Sequence, residues 1–297
     1  MPTSDYDVGV NGRWWRLGGG AVFACSAACG VNVVTPIDEV GEVNAVDAHS
    51  TADAAVATDA APEHVLTLDD GLVGHWKLDE SRPTDVVLDA TGQGNSGLAI
   101  NGPTPSPSVP RVMFADHASR SFDGMSQYIA IGNSAGLNFG GAITMAAWVN
   151  VGVLTPTGCQ TILGHGYHYQ PMQEVSLRLG TPGCSPLSGV PHSWAVGSWD
   201  GADHFAAAPL YDLDMATWIH IAGVYDGAAW HLYRNGEEIA KHADTVGAML
   251  VDSDWGIGAR APSDPPGPDR FFNGLIDEVR IYRRALSGAE IVELYHQ

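Results

Sequence analysis

Near the C-terminal end of this 297-residue chain, the run LIDEVRIY places Asp277 inside a stretch that otherwise reads as a strand. Alternate strand residues share a face, so Leu275, Asp277, Val279 and Ile281 are expected on one side and Ile276, Glu278, Arg280 and Tyr282 on the other. Asp277 then falls on the more apolar side. A buried, unpaired carboxylate is costly, which leaves a place near the sheet's end, an ion pair, several hydrogen bonds or a metal ion to stabilise it. Other reactive side chains crowd into GHGYHYQP, where His165, Tyr167, His168 and Tyr169 could stack on a sugar ring and bond its hydroxyls. Trp199 and Asp200 in GSWDGADHF, with His204, form another such group. Covering the edge of a sandwich is the plainer role for both loops. Residues 132–136, GNSAG, formally match G-x-S-x-G, but a nucleophile elbow needs a following helix and LNFGGAITMAAWV reads as loop then strand. H-E-x-x-H, Walker and dinucleotide-binding patterns are absent from the sequence.

The elements that would position these groups are strands. Thirty-six glycines, 18 prolines and nine tryptophans accompany many short segments bounded by Gly, Asp, Asn or Pro. GLVGHWKLD, SRSFDG, QYIAIGN, AITMAAWVNV, EVSLRLG, SWAVGSW, TWIHIAGVYDG, AWHLYRNGEEIAKH and GLIDEVRIYRR all have strand length and composition. Such a set packs economically as a two-layer antiparallel sandwich. Asn235-Gly236 between two of the runs predicts a tight hairpin. Ser287, followed three residues later by Glu290 and then by Ile291, Leu294 and Tyr295, predicts a capped amphipathic helix at the end.

Charge narrows the partners. With 34 acidic and 14 basic residues, a net charge of −20 repels nucleic acid and anionic lipid. Residues 1–29 include RWWRLGGGAVFACSAACG, which resembles an export signal and a bacterial lipoprotein box, with Cys25 or Cys29 as the lipid acceptor. Residues 30–69 are poor in bulky apolar groups, contain no Lys, Arg or aromatic residue after Val31 and read as a disordered acidic linker. Nothing later in the chain is long and apolar enough to span a bilayer. Cys159 and Cys184 flank strand-like segments of the presumed exported chain, which points to a disulfide; two buried free thiols are the alternative. Zinc lacks the further ligands it would need.

From GLVGHWKLDES through DATGQGNSGLAING, SFDGMSQYIAIGNSAGLNFGGAITMAAWV and TWIHIAGVYDGAAWHLYRNGEEIA to FNGLIDEVRIYRRALSGAEIVELY, the sequence resembles the LamG-like jellyroll domains of the concanavalin A-like lectin/glucanase superfamily. The resemblance covers nearly all of residues 70–297 and implies an all-β jellyroll of two antiparallel sheets with a short C-terminal helix. It also implies an exported, extracellular or cell-envelope binding or adhesion module, recognising carbohydrate or a cell-surface protein, with a structural calcium ion. Carried onto this chain, the calcium ligands would be Glu80, Asp89, Asn95 and Asp277. The chemistry agrees, since calcium takes roughly six to eight oxygens, and Gly92 and Gly94 would let the loop curl around it. The superfamily also contains glycoside hydrolases, but the alternating E-x-D-x-x-E carboxylates of the laminarinase type are missing here. A non-catalytic domain is expected. A protein-binding domain without glycan affinity is the main alternative, and a divergent glycosidase or lyase a further one.

Overall fold

A computed structural model describes residues 66–82, 86–166, 172–260 and 267–297. The expected signal segment, most of the linker and the loop residues Tyr167, His168 and Tyr169 lie outside the described residues. The strands run β1 (Leu72–Trp76), β2 (Val86–Val87), β3 (Gly97–Ile100), β4 (Thr104–Ser106), β5 (Ser119–Asp123), β6 (Tyr128–Ile131), β7 (Ile143–Val151) and β8 (Cys159–Gly166). They continue as β9 (Glu174–Gly180), β10 (Ser193–Trp199), β11 (Asp203–Pro209), β12 (Trp218–Tyr225), β13 (Ala229–Arg234), β14 (Glu237–Ala243), β15 (Trp255–Ile257) and β16 (Asn273–Tyr282). Helix α1 (Gly288–His296) follows.

Two eight-stranded sheets result. The first has the order β14-β13-β12-β7-β16-β5-β4, with β1 also against β16; the second has the order β11-β10-β9-β8-β15-β6-β3-β2. Every strand pair in them is antiparallel. Between the sheets lie Trp76, Trp194, Trp230, Trp255 and Phe272 with aliphatic residues from both layers. At Gly223 the layers approach so closely that a Cβ would stand 2.0 Å from Val196 Cγ2. The β13–β14 hairpin turns through Asn235 and Gly236, both at positive φ, as an Asn-Gly turn requires. Ser287 caps α1 reciprocally with Glu290. The helix then lays Ile291 and Leu294 on Ala146, Ala222, Tyr233 and Tyr282, the outer side of the first sheet.

β16 departs from simple alternation. Ile276, Val279 and Ile281 all belong to the inter-sheet core, so one extra residue has entered the strand between the first two. The register against β7 shifts between Asp277 and Arg280, and Glu278 has φ +47°, the signature of a bulge. Here too β16 changes neighbours on its other edge, from β5, paired as far as Ile276, to β1, paired from Val279. The expected sharing of one apolar face by Asp277 with Val279 and Ile281 is therefore corrected. Asp277 pairs across from Trp148, between the core residues Ala147 and Val149, and so belongs to the outer side.

Candidate functional site

Asp277 is fully buried, and its oxygens are poorly satisfied. Oδ1 accepts the Glu278 N–H at 3.0 Å, neither oxygen meets an Arg, Lys or His among the described residues, and the carboxyl shares a hydrogen bond with that of Asp116, which needs a proton on one of the two. Burial first, then the charges of Asp116, Glu278 and Asp79, push its carboxyl up to about 10. Asp116, whose side chain hydrogen-bonds those of Asp277 and Asp79, is pushed up to about 7 by burial and then by the charges of Asp79 and Glu278. Asp79 accepts the N–H groups of His117 at 2.7 Å and Ala118 at 3.1 Å. Glu278 is better supplied, since its Oε2 meets Arg280 at 2.8 Å and His75 at 2.6 Å. The seam where β16 changes neighbours thus gathers carboxylates that need a proton or a cation.

The other expected calcium ligands are engaged elsewhere. Glu80 takes Arg120 at 3.0 Å and the Leu88 N–H at 2.9 Å. Asp89 folds its own loop, accepting the N–H groups of His75, Thr91 and Asn95. Asn95 donates to Val73 O at 2.8 Å and accepts the Ser134 hydroxyl at 2.7 Å. The structure therefore brings Asp89 and Asn95 together as a knot on β1 but gives Glu80 and Asp277 different partners. Among the described residues no three His, Cys, Asp or Glu side chains stand arranged to hold a metal ion. Ser134 sits in this knot, and a turn rather than a helix follows it.

Of the expected ligand-binding residues, His165 is a core residue. β8 continues through Gly166, pairing His165 with the inward-facing Val175. Its ring stacks on Trp255 at 4.5 Å and 7° and bonds Ser253 O at 2.8 Å, and burial holds its pKa down at about 4. Trp199 lies instead on the outer side of the second sheet. Register places Glu174, Ser176 and Arg178 of β9 beside Trp199, Gly197 and Ala195 of β10, which neighbour Asp203, Phe205 and Ala207 of β11. A hollow of about 230 Å³ is lined there by Glu174, Arg178, Ser185, Trp199, Asp203 and Arg270. His204, expected with Trp199 and Asp200, is held between Asp244 at 2.7 Å and Asp200 at 3.0 Å. Burial opposes its charge, but these two bonds prevail and raise its pKa.

Glu174 is the centre of the hollow's electrostatics. It meets Arg178 at 3.3 Å, Arg260 at 3.1 Å and Arg270 at 3.2 Å, and accepts the Ser176 hydroxyl at 2.7 Å. Burial alone would raise its pKa; the three guanidiniums hold it at about 2. A carboxylate so held is ionised and fully bonded, unsuited to giving up or taking a proton in catalysis. Sequence reasoning missed this cluster. The polar Glu174, Ser176 and Arg178 alternating with Val175, Leu177 and Leu179 marked a two-faced strand, but Arg260 and Arg270 arrive from a distant segment. Beside the hollow, Cys159 and Cys184 are joined by a disulfide with Cα atoms 5.4 Å apart.

Several solved structures share the architecture. Domain 4 of AbnA, an extracellular arabinanase from Geobacillus stearothermophilus solved with arabinotriose, aligns at a TM-score of 0.54 and 20% identity over 76% of this chain and 98% of that one. The binding domain of Paraclostridial Mosquitocidal Protein 1 aligns at 0.55 and 17%, over 77% of this chain and 52% of that one. Trypanosoma rangeli sialidase aligns at 0.52 and 19%, over 76% of this chain and 33% of that one. At these identities the likeness is one of fold. No curated protein matches the sequence. Residues 123–292, more than half of the chain, match a laminin G model described as concanavalin A-like lectin/glucanases superfamily, and the chain belongs to that family.

Proposed function

We propose that this domain is a non-catalytic carbohydrate-binding module of an exported protein, engaging its ligand on the outer side of the second sheet around Trp199. The observation that carries this reading is the hollow in which an aromatic side chain stands among fixed hydrogen-bonding groups, while its buried carboxylate, Glu174, is committed to three arginines. Aromatic faces with a few convergent polar groups are what a sugar ring requires. The AbnA domain seen with arabinotriose supports the same reading by analogy of fold. The disulfide supports export, because such bonds persist in oxidising compartments. Lipid attachment at Cys25 or Cys29 would tether the domain to a membrane; no helix among the described residues is long and apolar enough to cross one.

A glycan array probed with the full chain tests this. Binding to at least one neutral or acidic glycan, weakened about tenfold or more by Trp199→Ala as at an interface hot spot, is the expected result. Failure to bind any glycan refutes it, and glycan cleavage refutes the non-catalytic part.

A structural calcium ion belongs to the same proposal. Asp277, Asp116 and Asp79 crowd hard anionic oxygens of the kind calcium takes without forming a finished metal site among the described residues, and the burial and mutual repulsion that push up the carboxyls of Asp277 and Asp116 are the support. Bound there, the ion would neutralise the seam between β1, β5 and β16. Thermal unfolding of the full chain with calcium and with chelator, in parent and Asp277→Asn, checks it: equal melting in both solutions removes the ion from the account.

A further inference from the structure

The hollow on the second sheet holds more positive charge than the hydroxyls of a sugar need. Arg178, Arg260 and Arg270 are three of the 14 basic residues in a chain of net charge −20, yet all three converge on Glu174. Arg260 is also neutralised by Asp269, through bonds of 2.8 and 2.5 Å. Arg178 is less well supplied. It is 4% exposed, gives Glu174 a long bond from one terminal nitrogen, and its Nε has no acceptor among the described residues. A guanidinium carries several N–H donors in one rigid plane, so a buried one rarely leaves a side of that plane unused.

Arg178 is also held in place. The Phe205 ring lies 3.8 Å from its guanidinium carbon. Gly197 leaves room for that ring, since a Cβ there would come within 2.8 Å of Phe205 Cδ1. Burial first, reinforced by Arg270 and Arg260, lowers the pKa of Arg178 to about 10 against the pull of Glu174, so its charge is costly to keep there without a further acceptor. The rim carboxylate of Asp203 relieves this only in part.

We propose that the hollow receives the carboxylate of an acidic sugar, with Arg178 donating to the anion, Arg270 adding charge and Trp199 covering the ring. This rests on the glycan-binding reading and narrows it to a ligand class. A planar carboxylate matches the planar fork of an arginine, and such charge-assisted bonds are stronger than those to neutral hydroxyls. The overall negative charge of the chain disfavours long polyanions. An uronic acid within or at the end of an otherwise neutral oligosaccharide therefore fits better than a densely charged polymer.

Matched oligosaccharides provide the test: each uronate-bearing probe is compared with its carboxyl-reduced form and with a sulfated form on the same backbone, using the full chain. The expected result is at least one uronate bound about tenfold more tightly than its reduced form. That preference should be lost in Arg178→Lys and in the more exposed variant Arg270→Gln, each shown to be folded by circular dichroism, with affinity for the reduced form retained. Equal affinity for acidic and reduced forms overturns the acidic-sugar assignment and leaves glycan binding standing. Preference for sulfated forms alone overturns the carboxylate. Binding of no probe, neutral or acidic, refutes both readings.

Discussion

Replacing Asp277 by Asn should make the domain less sensitive to alkaline pH. In the folded chain without a bound cation, the carboxyl is held up at about 10 by burial and then by Asp116, Glu278 and Asp79, against an ordinary value of 3.8. Between those values the folded state keeps a proton that the unfolded state has released. Stability is therefore complete below the unfolded value and falls as pH rises toward the folded one. One proton corresponds to about 1.4 kcal/mol per pH unit. From pH 7 to 9 the ceiling is about 3 kcal/mol, lowered in practice by coupling to Asp116, which itself titrates near 7. That window also avoids the opposing buried imidazoles of His165 and His220, held down at about 4 and about 3 by burial and therefore neutral throughout it. Urea unfolding in chelator, at matched ionic strength, should show the parent losing stability from pH 7 to 9 and Asp277→Asn losing much less. Saturating calcium should flatten the parent's curve by stabilising the ionised form. Parallel curves for parent and variant in chelator would refute the assignment of the excess proton to Asp277.

Other consequences concern the arginine cluster, the disulfide and the helix cap. Glu174→Gln should destabilise the domain by about 3–5 kcal/mol in urea, because three guanidiniums lose their shared buried anion; a loss within error would mean the cluster is solvated. Removing the disulfide with Cys159→Ser and Cys184→Ser together should cost about 3 kcal/mol for the loop it closes, read as a lower urea midpoint. An unchanged midpoint would show the loop to be constrained by other bonds. Ser287→Ala removes the hydroxyl that accepts the Glu290 N–H and should lower stability by about 1 kcal/mol, with the melting temperature as the readout.

Much of the fold was legible because its signals are local. Period-two alternation, an Asn-Gly turn and a Ser-x-x-Glu cap each fix a few neighbouring residues, and β6, β7, β9, β10 and β12 through β14 follow from them. Asp277 shows where this logic stops. The sequence identifies the conflict between a carboxylate and an apolar strand, but alternation resolves it wrongly, because the bulge arises where β16 exchanges β5 for β1 as its neighbour. No residue inside LIDEVRIY encodes that exchange. The GHGYHYQP segment stops it in another way, since a cluster of rings reads alike whether it covers the core or faces a ligand. Continuation of β8 to Gly166 turns His165 inward, while Trp199, with a similar local texture, closes β10 on the outer side.

The same dependence on topology explains why the acidic seam and the basic hollow sit on different sheets. β16, the last strand, lies at the interior of the first sheet and meets the early strands β1, β5 and β7, so its bulge collects Asp79 and Asp116 beside Asp277. β8 pairs with both β9 and β15, and that arrangement carries Arg260 and Arg270 to Glu174 although 86 and 96 residues separate them in sequence. The seam crowds Asp277 and Asp116 beside Asp79, the hollow leaves Arg178 short of an acceptor, and a cation and an anion respectively would relieve them. If calcium fills the first and an acidic sugar the second, the two should bind independently, since no residue lining the hollow belongs to the seam. Chelation would then lower the domain's stability without altering its preference for a uronate over the reduced sugar at temperatures where it stays folded. A preference that disappears with the metal while the fold persists would instead place calcium itself in the sugar's site.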